Sequence, residues 1–142
     1  MGEPREEEID LPDPPEGLVT YPTNRVRALM DDPDEVAAAI EDLVQAGFEG
    51  GGIFVLAGPQ GAKRLDATGR HHGLRGRLYR FIEHLGDEHE ELMAASEHLT
   101  AGGLVILVPA DDEKKDVAAR TLKAHGGHRM IHFGKGHWES LG

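Results

Sequence analysis

The sequence has no cysteine, which excludes disulfides, zinc–thiolate sites, iron–sulfur clusters and a thiol nucleophile. Aromatic residues are sparse, at 5%, and serine occurs only at Ser96 and Ser140, with no G-x-S-x-G elbow or triad pattern around either. No apolar run approaches the roughly 18 residues of a membrane span. The opening MGEPREEEID is acidic where a secretory leader is basic and then apolar. These absences predict a cytoplasmic protein without a membrane partner. Basic charge is also scarce: 15 Lys and Arg stand against 26 Asp and Glu, a net charge of −11. Binding to the phosphate backbone needs the opposite sign, so no nucleic-acid partner is expected.

What remains is enough for one domain: 142 residues can bury a core without staples. Residues 1–22 are read as a disordered, acidic, proline-rich tail; the first 20 hold seven acids, one Arg and four prolines, and no periodic apolar face. An acidic tail of this kind either keeps a chain soluble or covers a basic surface of the same molecule. Residues 23–142 form the expected domain.

Within it, RVRALM (25–30) alternates like a half-buried strand. Asp32 is a cap and Pro33 a first-turn residue for a helix whose stripe is Val36, Ile40, Leu43 and Val44, closed by Gly47 and covered by Phe48. GGIFVLAG follows as a buried strand. The second half repeats this grammar: LVILVP (104–109) is a strand, residues 111–127 a capped helix with Val117, Ala118, Thr121 and Leu122 inward, and HRMIHF (128–133) a last strand. Asp-Asp, Val-Ala-Ala and a terminal glycine recur in both halves (Asp31-Asp32, Val36-Ala37-Ala38, Gly47; Asp111-Asp112, Val117-Ala118-Ala119, Gly126). Two βαβ units predict an α+β, ferredoxin-like βαβ-(αα insert)-βαβ sandwich with a four-stranded antiparallel sheet. The insert, about residues 74–99, reads as two helices: Leu74, Leu78, Phe81, Ile82 and Leu85 on the first, and Leu92, Met93 and Leu99 on the second, with Gly86 between and Asp87 and Glu90 at cap-box spacing. It is available to cover the open sheet face or to meet another subunit.

The segments VRALMDDPDEVAAAIEDLVQAGFEGGGIFVLAG and LTAGGLVILVPADDEKKDVAARTLKAHGG resemble the domain of bacterial general stress proteins of the 17M or heat-induced type. The matching features are a strand, an "AI..L...G" helix and an "I.VL" strand, then a Gly-Gly strand and an "A...L..HG" helix. The resemblance implies a small stress-associated protein and brings no catalytic residue with it.

Residues 61–80 depart from the acidic background, with six Lys or Arg (Lys63, Arg64, Arg70, Arg75, Arg77, Arg80) against one acid, Asp66. AGPQGAKR lacks the G-x-x-x-x-G-K-[ST] spacing of a nucleotide phosphate loop, and Arg64 stands where the metal-binding hydroxyl belongs. Glycines permit close backbone approach, and guanidinium groups grip carboxylate or phosphate bidentately. The candidate ligand-binding residues are Gly58, Gly61, Lys63, Arg64, Arg70, His71, His72, Arg75 and Arg77, for a small anionic or phosphorylated ligand. The competing reading pairs these arginines with the protein's own acids.

Nine histidines raise the question of a metal. His125, His128 and His132 gather near the last helix-to-strand turn, while His71, His72, His84, His89 and His98 lie in or near the insert. None has a recognised ligand spacing, and His125 reads as a helix C-terminal cap, so neither a metal site nor a cofactor is assigned. His132, His71 and His72 are the general-base candidates. Trp138 is read as a clamp on the last strand or an interface residue. The resulting expectation is a non-enzymatic, stress-associated binding or regulatory module that forms a homo-oligomer. The alternatives are a cofactor-independent enzyme acting on an anionic metabolite and a structural assembly protein.

Overall fold

The computed structural model describes residues 11–14, 23–74, 76–81, 90–134 and 138–141. Along the chain come β1 (Arg25–Met30), α1 (Pro33–Gln45), a single 3-10 turn (Gly50–Gly52), β2 (Phe54–Ala57), α2 (Pro59–Ala67), α3 (Arg70–Gly73), β3 (Leu78–Arg80), α4 (Glu90–Thr100), β4 (Leu104–Pro109), α5 (Lys115–Ala124), β5 (His128–Phe133) and β6 (Trp138–Ser140). The protein is α+β, but the expected four-stranded antiparallel sheet is corrected to a mixed six-stranded one in the order β3-β2-β4-β1-β5-β6. The inner ladders are antiparallel, β3 adds to β2 in parallel, and β6 closes antiparallel on β5.

The two central strands are buried on both faces. On one face Val26, Ala28 and Met30 of β1 and Leu104, Ile106 and Val108 of β4 pack beneath Val36, Ala39, Ile40 and Leu43 of α1, Ala62 and Leu65 of α2, and Ala118, Ala119 and Leu122 of α5. On the other, Leu29, Leu56, Val105 and Leu107 pack against Ala95 and Leu99 of α4, flanked by Phe54, Tyr79 and Phe81. The insert therefore covers the sheet face that two βαβ units leave open. Among the described residues no helix is long and apolar enough to cross a membrane.

Local sequence explains most boundaries. The Asp32 carboxylate accepts from Asp34 N at 2.9 Å, Pro33 opens α1, and Gly47 at φ +100° lets Phe48 N reach back to Leu43 O at 3.0 Å. Two inward assignments fail at the edges of their stripes. Val44 is 44% exposed, Ala39 taking the buried place, and Val117 is 36% exposed, with Ala119 inward instead. Asp111 caps the turn ahead of α5, accepting from Glu113 N and Lys114 N, so the helix starts at Lys115 rather than at residue 111.

The larger correction concerns the first insert helix. Leu78 falls in strand β3, paired in parallel with Val55. Leu78 points to one core and Tyr79 to the other face, where it meets Phe54 edge-on at 5.0 Å. A three-residue strand is too short to show its period, and the apolar spacing fits a helix equally well. Ile82, His84, Leu85, Gly86, Asp87 and His89 lie outside the described residues, as do residues 1–10 and 15–22. Of the proline-rich segment, Leu11 is buried in the main core, Pro12 O accepts from Arg80 N at 2.8 Å, and Asp13 pairs with Arg80 at 2.5 Å. An acid from that segment thus meets one end of the basic stretch.

His125 ties α5 to α1. It is the C-cap residue of α5, and its Nε2 and Nδ1 lie 2.7 Å from Asp42 and 2.8 Å from Glu35, about two turns apart on one face of α1. Hydrogen bonds to Asp42 and then Glu35 hold the imidazole pKa above its ordinary value, against the cost of burial. Because the folded-state pKa is raised, the stabilisation is complete below about pH 6.5 and disappears as pH rises through the folded value. Denaturant titrations should show His125→Gln losing about 1 kcal/mol more at pH 5.5 than at pH 9; equal losses would contradict the clamp. Leu99→Ala, which empties the α4 contact with the sheet, should cost about 3 kcal/mol in the same assay.

Candidate functional site

The end of the sheet where β1 finishes gathers residues from five elements. Asp31 follows β1 directly, His98 comes from the last turn of α4, His128 opens β5, Arg64 reaches in from α2, and Asp34 lies in the first turn of α1. Asp31, His98 and His128 each bring one ligand atom to within 4.8 Å of the others. Asp31 Oδ2 is 3.2 Å from His128 Nε2, Asp31 Oδ1 is 3.8 Å from His98 Nε2, and the two imidazole rings meet edge-on with centroids 5.5 Å apart. For comparison, ligands about 2.1 Å from a tetrahedral ion stand about 3.4 Å from one another. The group is graded in burial, with the His98 side chain 14% exposed and Asp31 69%, so an ion would meet a firm wall and an open mouth.

Two backbone features build this corner. From Arg27↔Ile131 to Leu29↔His128 the β1–β5 register gains one residue on β5. That bulge contains Arg129 at φ +49°, a left-handed conformation unfavourable for a side-chain-bearing residue. The shift of one residue reverses which way the strand's first side chain is aimed, and His128 arrives beside Asp31. The second feature is Gly103, because a Cβ there would fall inside the His98 ring. Glycine at 103 makes space for the histidine rather than only for a turn.

The imidazole of His98 is oriented by the chain itself. Its Nε2 lies 2.7 Å from Met30 O, and a carbonyl only accepts, so Nε2 carries the proton in this arrangement. Metal ligation by Nε2 would move that proton to Nδ1 and exchange the Met30 bond for the ion. Arg64 holds the adjoining loops, donating from Nη2 to Asp31 O at 2.5 Å and from Nη1 to Gly102 O at 2.7 Å.

Sequence-derived candidates are distributed unevenly about this corner. Residues 59–67 and 70–73, which hold most of the basic stretch, are helical. Gly58 caps α2 where a Cβ would stand 2.9 Å from Leu99 O, and Gly61 packs α2 close to Gly103 O. With Arg64, these two belong to the frame of the corner. Lys63 and His72 are exposed on α2 and α3. Arg70 forms a 2.7 Å ion pair with Asp34, which raises the guanidinium pKa, and Arg77 donates to Gly50 O. Arg75 lies outside the described residues, as does the side chain of His71. The guanidinium groups of Arg64, Arg70 and Arg77 therefore already hold protein oxygens.

The histidines do not gather as the sequence order implies. His125 goes to the acids of α1, His128 to Asp31, and His132 to Asp112 at the far end of the β1–β5 ladder. Sequence reasoning missed the Asp31, His98 and His128 set because its members are 67 and 97 positions from Asp31. The available signals were indirect: a histidine after a terminal glycine pair, and a Gly-Gly step before β4. No family model matches the chain, and no curated protein or solved structure is detectably similar to it.

Proposed function

We propose that the chain is a binding module for a divalent transition metal, held by Asp31, His98 and His128 at the end of a ferredoxin-like core formed by β2, β4, β1 and β5. The convergence of one carboxylate and two imidazoles from three separate elements carries this reading. Two imidazoles with a carboxylate suit Zn2+, Fe2+, Co2+ or Ni2+ better than the oxygen-seeking Mg2+ or Ca2+. Three protein ligands leave a position open toward solvent. The anionic or phosphorylated ligand expected from the basic stretch becomes, on this reading, a ligand of that open position. Lys63 on the adjacent α2 adds favourable charge nearby. A site made only of arginines is less favoured, since an anion would first have to break the Arg64, Arg70 and Arg77 bonds.

Titration of metal-stripped protein with Zn2+ should reveal a site that Asp31→Asn and His128→Ala each weaken roughly 10-fold to 100-fold or more. Both residues are exposed, so the variants should retain the wild-type circular dichroism spectrum. Unchanged affinity and stoichiometry in both would rule the site out. Gly103→Ala should also weaken binding, because the added methyl takes the space of the His98 ring.

A further inference from the structure

At the opposite end of the β1–β5 ladder, His132 pairs with Val26 in register and is fully buried. Its Nε2–H donates to Ala110 O at 2.8 Å, which leaves Nδ1 as the ring nitrogen available to another partner. That nitrogen is inaccessible to solvent and has no hydrogen-bond partner among the described residues. It faces Asp112 Oδ1 at 3.8 Å, and Glu139 of β6 completes a group whose ligand atoms all lie within 4.8 Å of one another. A buried ring nitrogen without a hydrogen-bond partner, facing a carboxylate oxygen at that distance, leaves a place for a cation between them. The backbone acceptor on Nε2 is also the arrangement by which proteins fix an imidazole for ligation through its other nitrogen.

The protein has a cation of its own close by. Lys115 Nζ, at the start of α5, bonds to Glu139 Oε1 and lies 3.4 Å from Asp112 Oδ1. The hydrogen bond to Glu139 is the leading reason its pKa is raised, so it remains charged. It satisfies the two carboxylates and leaves His132 Nδ1 unserved.

We infer that Asp112, His132 and Glu139 form a second divalent-metal site, for which the Lys115 ammonium competes as an internal cation. Entry of a metal displaces Lys115 from both carboxylates, adds the imidazole that lysine does not reach, and breaks the α5–β6 ion pair. One imidazole with two carboxylates suits Zn2+, Co2+ or Mn2+. The Ala110 bond already orients the imidazole, so the lysine is the main barrier to binding.

The inference is independent of the Asp31 centre and is tested with that centre removed. In the Asp31→Asn/His128→Ala protein, Co2+ binding is followed by calorimetry and visible absorption, with Lys115 present and as Lys115→Met. The methionine variant should bind at least about tenfold tighter, and adding Glu139→Gln should reverse the gain. Long-range 1H–15N spectra with Zn2+ should move the His132 Nδ1 resonance. Equal affinity with and without Lys115 would overturn the competition. Absence of binding in the Lys115→Met protein, indifference to Glu139→Gln, or an unmoved His132 resonance would overturn the site. Asp112 and Glu139 are exposed at 71% and 45%, and Asp112→Asn serves as a second carboxylate variant should Glu139→Gln loosen β6.

Discussion

The antiparallel pairing of β1 with β5 is the constraint on which the rest depends. It joins the first and last thirds of the chain and fixes which histidine of β5 reaches which end of β1. His132 pairs opposite Val26 near one end, and His128 opposite Leu29 near the other. A strand in uninterrupted register would send alternate residues to the same face along its whole length. The one-residue bulge at Arg129 breaks that parity, aiming the two imidazoles independently. The unfavourable conformation of Arg129 is sustained because the pairing on either side of it is retained.

Burial determines how the ends of this ladder differ chemically. Both place a carboxylate against an imidazole. At Asp31 the acid is open to water and faces two imidazoles. At Asp112 a buried imidazole lies behind two acids and a lysine bonded to them. On the proposed reading, the first arrangement admits a cation from solvent in exchange for the His98–Met30 hydrogen bond, and the second requires exchange of one cation for another. The strongly negative net charge assists both by raising the concentration of cations near the surface.

Much of the fold was legible because it rests on local patterns. The Asp32-Pro33 start and Gly47 stop of α1, the unbroken apolar run of β4 and the repeated β-α-β grammar are properties of short segments. Edge additions were not legible. β3 and β6 each contain three residues, and their pairing energy comes from strands distant in sequence. Residues at stripe margins, Val44 and Val117, depend on what lies opposite and are not settled by helical period alone. For the site, composition identified a basic stretch correctly and assigned it to a ligand. In the fold, Arg64, Arg70 and Arg77 fasten loops and helices to one another, while Gly58 and Gly61 let α2 close on the corner. The gathering of Asp31, His98 and His128 depends on a bulge and on the space at Gly103, neither of which a linear spacing rule represents.

The central claim is that Asp31, His98 and His128 hold one ion together. The most direct measurement is the anomalous difference map of crystals grown with one equivalent of Zn2+, recorded on either side of the zinc absorption edge. The account predicts a peak bonded to Asp31, to His98 Nε2 turned away from Met30 O, and to His128. Zinc found only elsewhere, with the His98–Met30 bond intact, would contradict it.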